Sequence, residues 1–565
     1  MSDNPFVEWF KREYAKFDHH HQEGAVRRNQ NFTATFTHWY EAPSGDSSRP
    51  DLWCYTDRLS YAPGDIVSFH LSGSVSACSL TVVRDGADPT EVHVIDHLAI
   101  ECHPTPPDAY AVGCGWPVAA TWQVPDDLPS GFYLVIARSE GAWRPIEQHH
   151  GFVVRAAPDK AMSRTLLICA TSTWIAYNDW GGANAYEGIA GDNGDRFSPV
   201  LSIERPFARG LIWLPAGAPR FSADGPLRPG DTPRYPSFEY GFANGFAKYF
   251  AAAGWAQFER HFVIWAEQNG YQLDYATQHD LHYTPEILAS YDAVVIVGHD
   301  EYWTWEMRDA VERYVEDGGK LARFAGNFLW QVRLEDEGRR QICYKWDAHD
   351  CDPVRTLEDV SRLTSSWDDP FVGRPAVSTM GLSSSKGGYV RVGCCNPRWP
   401  GGYVVYRPEH WAFAQTDLYY GDMFGQDARI FSYEVDGADY EMRDGRPFPV
   451  PGDGPEILDI LAMGPATSYE DDHQNPGAVL FIAKADVAFK ALAKFGDTSP
   501  ETLRRAGSGV GMMAHFAKGQ GEVFNAGSCE WVVGLQHGDF YTAQVTRNVL
   551  DRFLLPNSLS NENKA

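Results

Sequence analysis

The segment Asp292–Thr304, DAVVIVGHDEYWT, constrains the fold of this chain more than any other. Its apolar run, Ala293 to Val297, is rich in β-branched residues. Such a run predicts a strand buried on both faces. Gly298 ends the run, and His299, Asp300, Glu301 and Tyr302 follow at once, ahead of a predicted helix over Trp305–Asp317. Ionisable side chains therefore crowd at the carboxyl end of a buried strand. In open α/β sheets that edge is where ligands bind.

Three further segments read as strands of the same kind: TLLICA (165–170), LDYATQHDL (273–281) and KLARFAG (320–326). Helical patterns such as FERHFVIWAEQNG lie between them, so the alternation predicts a parallel, doubly wound sheet. The strand over 320–326 ends at Gly326-Asn327, which places Asn327 at the same edge as Tyr302. Upstream, residues 51–157 carry short alternating runs broken by Gly, Pro and Asp turns, the pattern of an immunoglobulin-like β-sandwich. We divide the chain into an N-terminal helix and extended arm (1–50, the helix over 4–17), this accessory sandwich, an α/β catalytic domain (158–555) and a disordered tail (556–565).

A chain of 565 residues exceeds what one hydrophobic core supports. Its 75 acidic and 48 basic residues give a net charge of −27, which argues against nucleic acid or an anionic membrane as partner. There is neither an apolar run of 18 residues nor a secretory h-region. The ten cysteines form no CxxC pair, and a cytoplasmic protein with reduced thiols is expected.

Several chemistries lack their motifs. There is no GxSxG elbow, no HExxH and no EF-hand loop. Ser383-Ser384-Ser385-Lys386 matches SxxK but reads as a flexible loop. Cys169 reads as a buried structural thiol. HDLH (279–282) reads as a loop without a third ligand. The triplet His19–His21 reads as a polar loop. What remains is a set of oxygen donors near strand ends: Tyr302 in HDEYW, Tyr344 in ICYKW and Glu434 in SYEVDG.

GHDEYWT, GGKLARFAGNFLWQVR, ICYK, SYEVDG and GEVFNAGSCEW, in that order, resemble the large (beta) subunit of N,N-dimethylformamidase and its relatives over residues 160–555. The resemblance implies one iron, as Fe³⁺, per chain, held by Tyr302, Tyr344 and Glu434. It implies Glu530, in GSCEW, as an acidic active-site partner, and it implies a small helical partner subunit. The chain is shorter than that subunit and begins differently, and the N-terminal helix could take the small subunit's place. The α/β core also resembles the glutamine-amidotransferase-like fold.

Phenolates and carboxylates are hard donors suited to a trivalent cation. Coordination deprotonates a phenol at neutral pH, and the cation can polarise an amide carbonyl and acidify water. The expected function is iron-dependent hydrolysis of a small formamide or related C–N bond. His299, Glu301, Lys345 and Glu530 are the candidates for protonating the leaving amine, and Asn327 for a hydrogen bond to the substrate oxygen. Trp174, Tyr177, Trp180, Trp303 and Trp330 are expected to wall an apolar pocket, with Asn178 at the same edge. A homo-oligomer is expected. The alternative is a non-catalytic carbohydrate-binding or structural module on the same α/β core, which would have no use for the Tyr302, Tyr344, Glu434 set.

Overall fold

The computed structural model describes residues 39–44, 48–140, 145–157, 163–188, 197–222, 236–390, 401–452, 454–467 and 484–555. The predicted N-terminal helix, the triplet His19–His21 and the tail lie outside them.

Among the described residues, eight strands precede the α/β region: β1 (Leu52–Thr56), β2 (Ser60–Tyr61), β3 (Ile66–Gly73), β4 (Ala77–Asp85), β5 (Thr90–Ala99), β6 (Val118–Gln123), β7 (Gly131–Ser139) and β8 (Ile146–Val154). They form two sheets, ordered β1-β3-β6 and β2-β8-β7-β4-β5. Leu71, Leu80, Val135 and Phe152 belong to the core cluster between them. One edge of this unit buttresses the rest of the chain. Phe132 stacks on Trp255 at 4.0 Å, and Asp85 accepts from Trp255 Nε1 (2.7 Å) and Arg260 Nε (2.8 Å).

The main sheet begins with β9 (Thr165–Cys169), β11 (Asp274–Thr277), β12 (Ala293–His299), β14 (Lys320–Gly326) and β26 (Gly521–Asn525), all parallel, in the spatial order β11-β9-β12-β14-β26. It continues antiparallel through β25 (Ser508–Lys518) and β24 (Asp459–Thr467) to β18 (Ser383–Tyr389) and β21 (Glu434–Gly437). The sheet is thus mixed rather than wholly parallel.

Along β12, Ala293, Val295 and Val297 enter one hydrophobic cluster while Val294 and Ile296 enter another. The two clusters are the two covered faces of the sheet. Full burial stabilises by roughly 1.5–3 kcal/mol per Val or Ile side chain, so the apolar run holds β12 in the middle of the sheet. β11 lies on one side of β9 and β12 on the other, so the strand order reverses between β9 and β12. That reversal is a topological switch point, and the crevice at its carboxyl end is the expected ligand site of such a sheet.

Two loop readings are corrected. HDLH belongs to a helix, α2 (Gln278–Tyr283), which follows α1 (Thr171–Tyr177) in the chain. Thr277 and Asp280 close a capping box at its start, so the strand predicted over 273–281 stops at Thr277. Ser383–Lys386 lie in β18, where Ser383 and Ser385 both donate to Asp368. Those serines are tied to a carboxylate instead of being paired with a base.

Four small pairings complete the part that positions the site. β10 (Val200–Ser202), β17 (Arg340–Ile342) and β16 (Arg333–Glu335) form an antiparallel sheet. β13 (Tyr302–Trp303) and β15 (Trp330–Gln331) pair in parallel, linking the turns after β12 and β14. β19 (Tyr403–Val405) and β20 (Met423–Phe424) pair beside β24, and β22 (Tyr440–Arg443) and β23 (Arg446–Pro449) form a hairpin. The predicted helix after Tyr302 runs over Trp305–Glu316, capped by Thr304.

Candidate active site

At Gly298 the chain has φ +77, and a Cβ there would lie 2.3 Å from Cβ of Phe258, so only glycine fits. The turn delivers His299, Asp300, Glu301 and Tyr302, all buried, into the switch-point crevice. Gly326 works similarly on β14: a Cβ would meet the backbone of Cys529 (2.6 Å) and Glu434 (2.8 Å). Its absence lets β21 and the 528–530 turn close over Asn327.

His299 is the hub. Its Nδ1 donates to the Ala252 carbonyl (2.6 Å), and its Nε2 lies 2.8 Å from Glu434 Oε2 and 3.3 Å from Glu301 Oε2. Burial alone would push its pKa down, but the two carboxylates outweigh burial and push it up to about 10. Asn327 donates from Nδ2 to Glu434 (2.7 Å). Glu301 accepts from Tyr177 (3.1 Å) and from Tyr186, whose hydroxyl is 2.8 and 2.7 Å from its two oxygens. Tyr302 donates to the Tyr186 hydroxyl (2.8 Å).

The two carboxylates diverge. Burial raises both, yet the His299 hydrogen bond and charge, with Lys345 and Tyr186, hold Glu301 below the usual range, whereas in Glu434 burial prevails. Lys345 is buried and lies over the Tyr186 ring, Nζ 3.3 Å from its centroid, with the Tyr302 ring at 5.2 Å. The site thus gathers two buried carboxylates, two cations and three phenols.

The structure brings together His299, Glu301, Tyr302, Asn327, Lys345 and Glu434. It does not bring Tyr344 to them, which corrects the expected ligand set. Cys343 packs in the cluster on the Tyr302 side of the sheet, and Tyr344 packs against the opposite cluster. Both residues lie beyond β17, and Tyr344 has helical φ/ψ (−84, −12) at the start of the short 3-10 turn Lys345–Asp347. A positive φ of 49 at Lys345 then turns its side chain back among the site's rings. Tyr344's charged neighbours are Asp352, Arg333 and Glu335, and burial together with Asp352 raises its pKa.

Asp352 anchors that outer region. It accepts from Arg333 (2.8 Å) and from Thr364 N (2.9 Å) and Oγ1 (2.6 Å). Burial would raise its pKa, but Arg333 and Thr364 more than offset this and lower it. A lowered folded-state pKa gives stability that is present above the unfolded value, about 3.9, and lost as pH falls. Asp352→Asn is expected to be less stable than wild type at pH 7, with the gap closing below about pH 4. Urea unfolding at both pH values checks this, and a gap that is constant with pH refutes it.

Glu530 also departs from expectation. It is 2% exposed and ion-paired to Arg220, which also donates to Gln257 O (3.0 Å) and Oε1 (3.1 Å). Only its Oε2 faces Arg220, and its Oε1 is buried without a hydrogen-bond partner. Its neighbour Cys529, which no expected site residue included, is the one that reaches in. One ligand atom each of Cys529, His299 and Glu434 lies within 4.8 Å of the others.

Of the expected pocket wall only Tyr177 faces the cluster directly, its ring centroid 5.1 Å from that of His299. Trp174 donates to Glu259, Trp180 packs edge-on to Trp53 and Trp116, and Trp303 donates to Asp300 from the opposite sheet face. Trp330 lies 5.4 Å from Lys345 Nζ. Asn178 donates to the Pro206 carbonyl and is structural. The wall is instead built of Tyr177, Tyr186, Tyr249 and Tyr433.

A second ligand-type cluster, His410, Asp459 and His515, gathers at β24, β25 and the segment ahead of residue 411. Its nitrogens are already engaged. Ala412 N donates to His410 Nδ1, His410 Nε2 faces His515 Nδ1 at 3.4 Å, and His515 Nε2 faces Glu522 at 3.0 Å. The chain of hydrogen bonds from Ala412 N through His410 and His515 to Glu522 engages these nitrogens.

Set against known proteins, residues 80–545 match the family described as N,N-dimethylformamidase beta subunit-like, C-terminal. The N,N-dimethylformamidase beta subunits of Alcaligenes sp and Paracoccus aminophilus are each 28% identical over 233 residues, which is 40% of this chain and 29% of theirs. The matched stretch therefore spans less than a third of those relatives. Among solved structures, the sporulation control protein Spo0M from Bacillus subtilis matches 19% of this chain and 50% of its own, at 14% identity and a TM-score of 0.14. That likeness carries no argument about fold. Among the described residues no helix is long and apolar enough to cross a membrane.

Proposed function

The chain belongs to the N,N-dimethylformamidase beta subunit-like, C-terminal family, and on that premise we propose that it hydrolyses a small amide, a formamide foremost, with a ferric ion bound among Tyr302, Glu301 and Glu434. The observation that carries the proposal is the buried cluster of oxygen donors at the switch-point crevice. The donors fit such an ion. Phenol and carboxylate oxygens are hard ligands, and two buried carboxylates side by side need positive charge nearby. His299 and Lys345 supply part of that charge. When bound, a ferric ion would supply Lewis acidity toward an amide carbonyl.

The chain's own residues would do the rest. Asn327 and His299 hold Glu434 in place, and Tyr177 and Tyr186 hold Glu301. His299 holds a proton at Nε2 for the departing amine, with its ring fixed by the Ala252 carbonyl. The tyrosine wall excludes water and favours a small neutral substrate over a charged one. A carbohydrate-binding or structural module has no use for two buried carboxylates flanking an imidazolium. Both matched relatives are named beta subunits, so a companion subunit belongs to the proposal, as does assembly of copies of this chain.

Iron-loaded protein is expected to release amine from at least one member of a panel of formamides and acetamides. Full iron occupancy with no amine release from any of them refutes the hydrolase.

A further inference from the structure

The corner that carries His299 is gripped from outside the sheet. The 252–258 turn places the Ala252 carbonyl 2.6 Å from His299 Nδ1 at one end. At its other end Phe258 lies against Gly298, where an added Cβ would be 2.3 Å from Cβ of Phe258. Between those ends, Trp255 stacks on Phe132 of the β-sandwich. We propose that Asp85, the last residue of β4, is a positioning residue for His299, acting through Trp255 and this turn. The inference rests on the reading above of His299 as proton donor to the departing amine.

The contacts run without a gap from sandwich to imidazole. Trp255 is fully buried, its ring centroid 4.0 Å from that of Phe132 on β7. A buried indole N–H needs an acceptor, and Asp85 Oδ2 supplies it at 2.7 Å. The same oxygen accepts from Arg260 Nε at 2.8 Å, and Arg260 N donates to the Trp255 carbonyl at 3.1 Å. Inside the turn, Gln257 N and Phe258 N donate to the Gly254 carbonyl at 3.2 and 3.3 Å. Gly254 has φ +104, and a Cβ there would lie 2.2 Å from the Leu211 carbonyl oxygen, so the turn packs directly on that backbone. A shift at Trp255 therefore passes to Ala252 and Phe258 within one small, hydrogen-bonded unit.

What the turn fixes is the orientation of the His299 ring. A carbonyl that accepts from Nδ1–H sets where the other ring nitrogen points, and here Nε2 faces Glu434 at 2.8 Å and Glu301 at 3.3 Å. Misplacing a reacting group by about 1 Å can cost about 10²-fold in rate. Glu259, just after the turn, accepts from Ala170 N (3.1 Å) and Trp174 Nε1 (3.0 Å), so that end is held independently of the sandwich. Loss of Asp85 should therefore move the turn rather than unfold it. A neighbouring contact gives the contrast. Arg84 pairs with Glu267 (2.9 Å) at the far end of the helix Glu259–Gln268, away from the turn.

The test records the downfield proton resonance of His299 Nδ1–H in the full chain before iron is added, identified by its loss in His299→Gln, and then amine release after iron loading. Asp85→Ala is expected to shift that resonance and to lower kcat by on the order of 10–100-fold. KM should change little, because substrate binding keeps its own contacts. Trp255→Phe keeps a ring to stack on Phe132 but has no N–H to give. It should shift the same resonance, and it carries the test if circular dichroism shows that Asp85→Ala does not fold. Arg84→Met, which loosens the sandwich contact elsewhere, should leave resonance and kcat at wild-type values. An unmoved resonance in Asp85→Ala and Trp255→Phe overturns the proposal, as does an equal shift in Arg84→Met, a shifted resonance with wild-type kcat, or no such resonance in wild type. A wild-type protein that shows the resonance but releases no amine overturns the hydrolase reading alone, and the resonance still decides whether Asp85 positions His299.

Discussion

Replacing Arg323 by leucine is expected to cost about 3–5 kcal/mol of folding stability. Arg323 lies in the middle of β14 with no exposure, paired to Asp300 (3.0 Å) and Asp436 (2.6 Å), both also buried. These carboxylates tie the site's turns together. Asp300 accepts from Trp303 Nε1 (2.7 Å) and Gln278 Nε2 (3.0 Å), and Asp436 accepts from Asn327 N (2.8 Å). Removing the guanidinium leaves two buried charges uncompensated, which is costlier than never having had the triad. Against a typical total of about 5–15 kcal/mol, the loss would leave much of the protein unfolded or loosely folded. Urea unfolding measures it. The triple variant Arg323→Leu, Asp300→Asn, Asp436→Asn should recover part of the loss, because no charge is then stranded. A loss in Arg323→Leu of less than about 1 kcal/mol, the size of an ordinary surface change, would mean that the triad does not hold the site together.

That triad was not legible in the sequence, and the reason is physical. An arginine inside KLARFAG looks like a break in an apolar strand, and its partners lie 23 and 113 residues away. Period and composition locate strands, not the pairings between them. The apolar runs did place β9 and β12, because full burial on both faces needs uninterrupted Val, Ile, Leu and Ala, and β14 was legible despite its arginine from Leu321, Ala322, Phe324 and Ala325. Once β12 and β14 were placed, His299, Glu301, Tyr302 and Asn327 followed, since the ends of adjacent parallel strands are neighbours in space.

Tyr344 failed because its proximity was inferred from motif order. The chain leaves β17 at Ile342 into a tight turn, helical at Tyr344 and with positive φ at Lys345, and that turn brings Lys345 to the site's rings while Tyr344 packs on the other cluster. Tyr186 escaped notice for the converse reason. It sits in a turn closed by the Ala183–Gly188 bridge, and the Asn184 cap that shapes the turn predicts a local bend without saying what that bend approaches. The HDLH and SSSK segments were misread as loops because capping boxes and polar strands resemble loops in composition.

Glu301→Gln should have the largest effect on turnover, lowering amide hydrolysis by on the order of 10²–10⁴-fold. Glutamine keeps the shape and an acceptor oxygen for Tyr177 or Tyr186 but removes the charge that faces His299 and Lys345. Four groups of the site converge on this carboxylate: two phenols donate to it, the His299 ring lies 3.3 Å away and a lysine contributes from above the Tyr186 ring. If it also binds the metal, loss of charge weakens binding and chemistry together, and iron content measured beside amine release separates the two. Glu530→Gln is the contrast. That carboxylate is tied to Arg220 and has no hydrogen bond to Tyr302, Glu301 or Glu434. Its neutralisation should appear chiefly as lower thermal stability, with turnover reduced far less. Near wild-type amine release from iron-loaded Glu301→Gln, or a deeper loss in Glu530→Gln than in Glu301→Gln, would move the chemistry away from the 299–302 turn and toward the Arg220 side of the crevice.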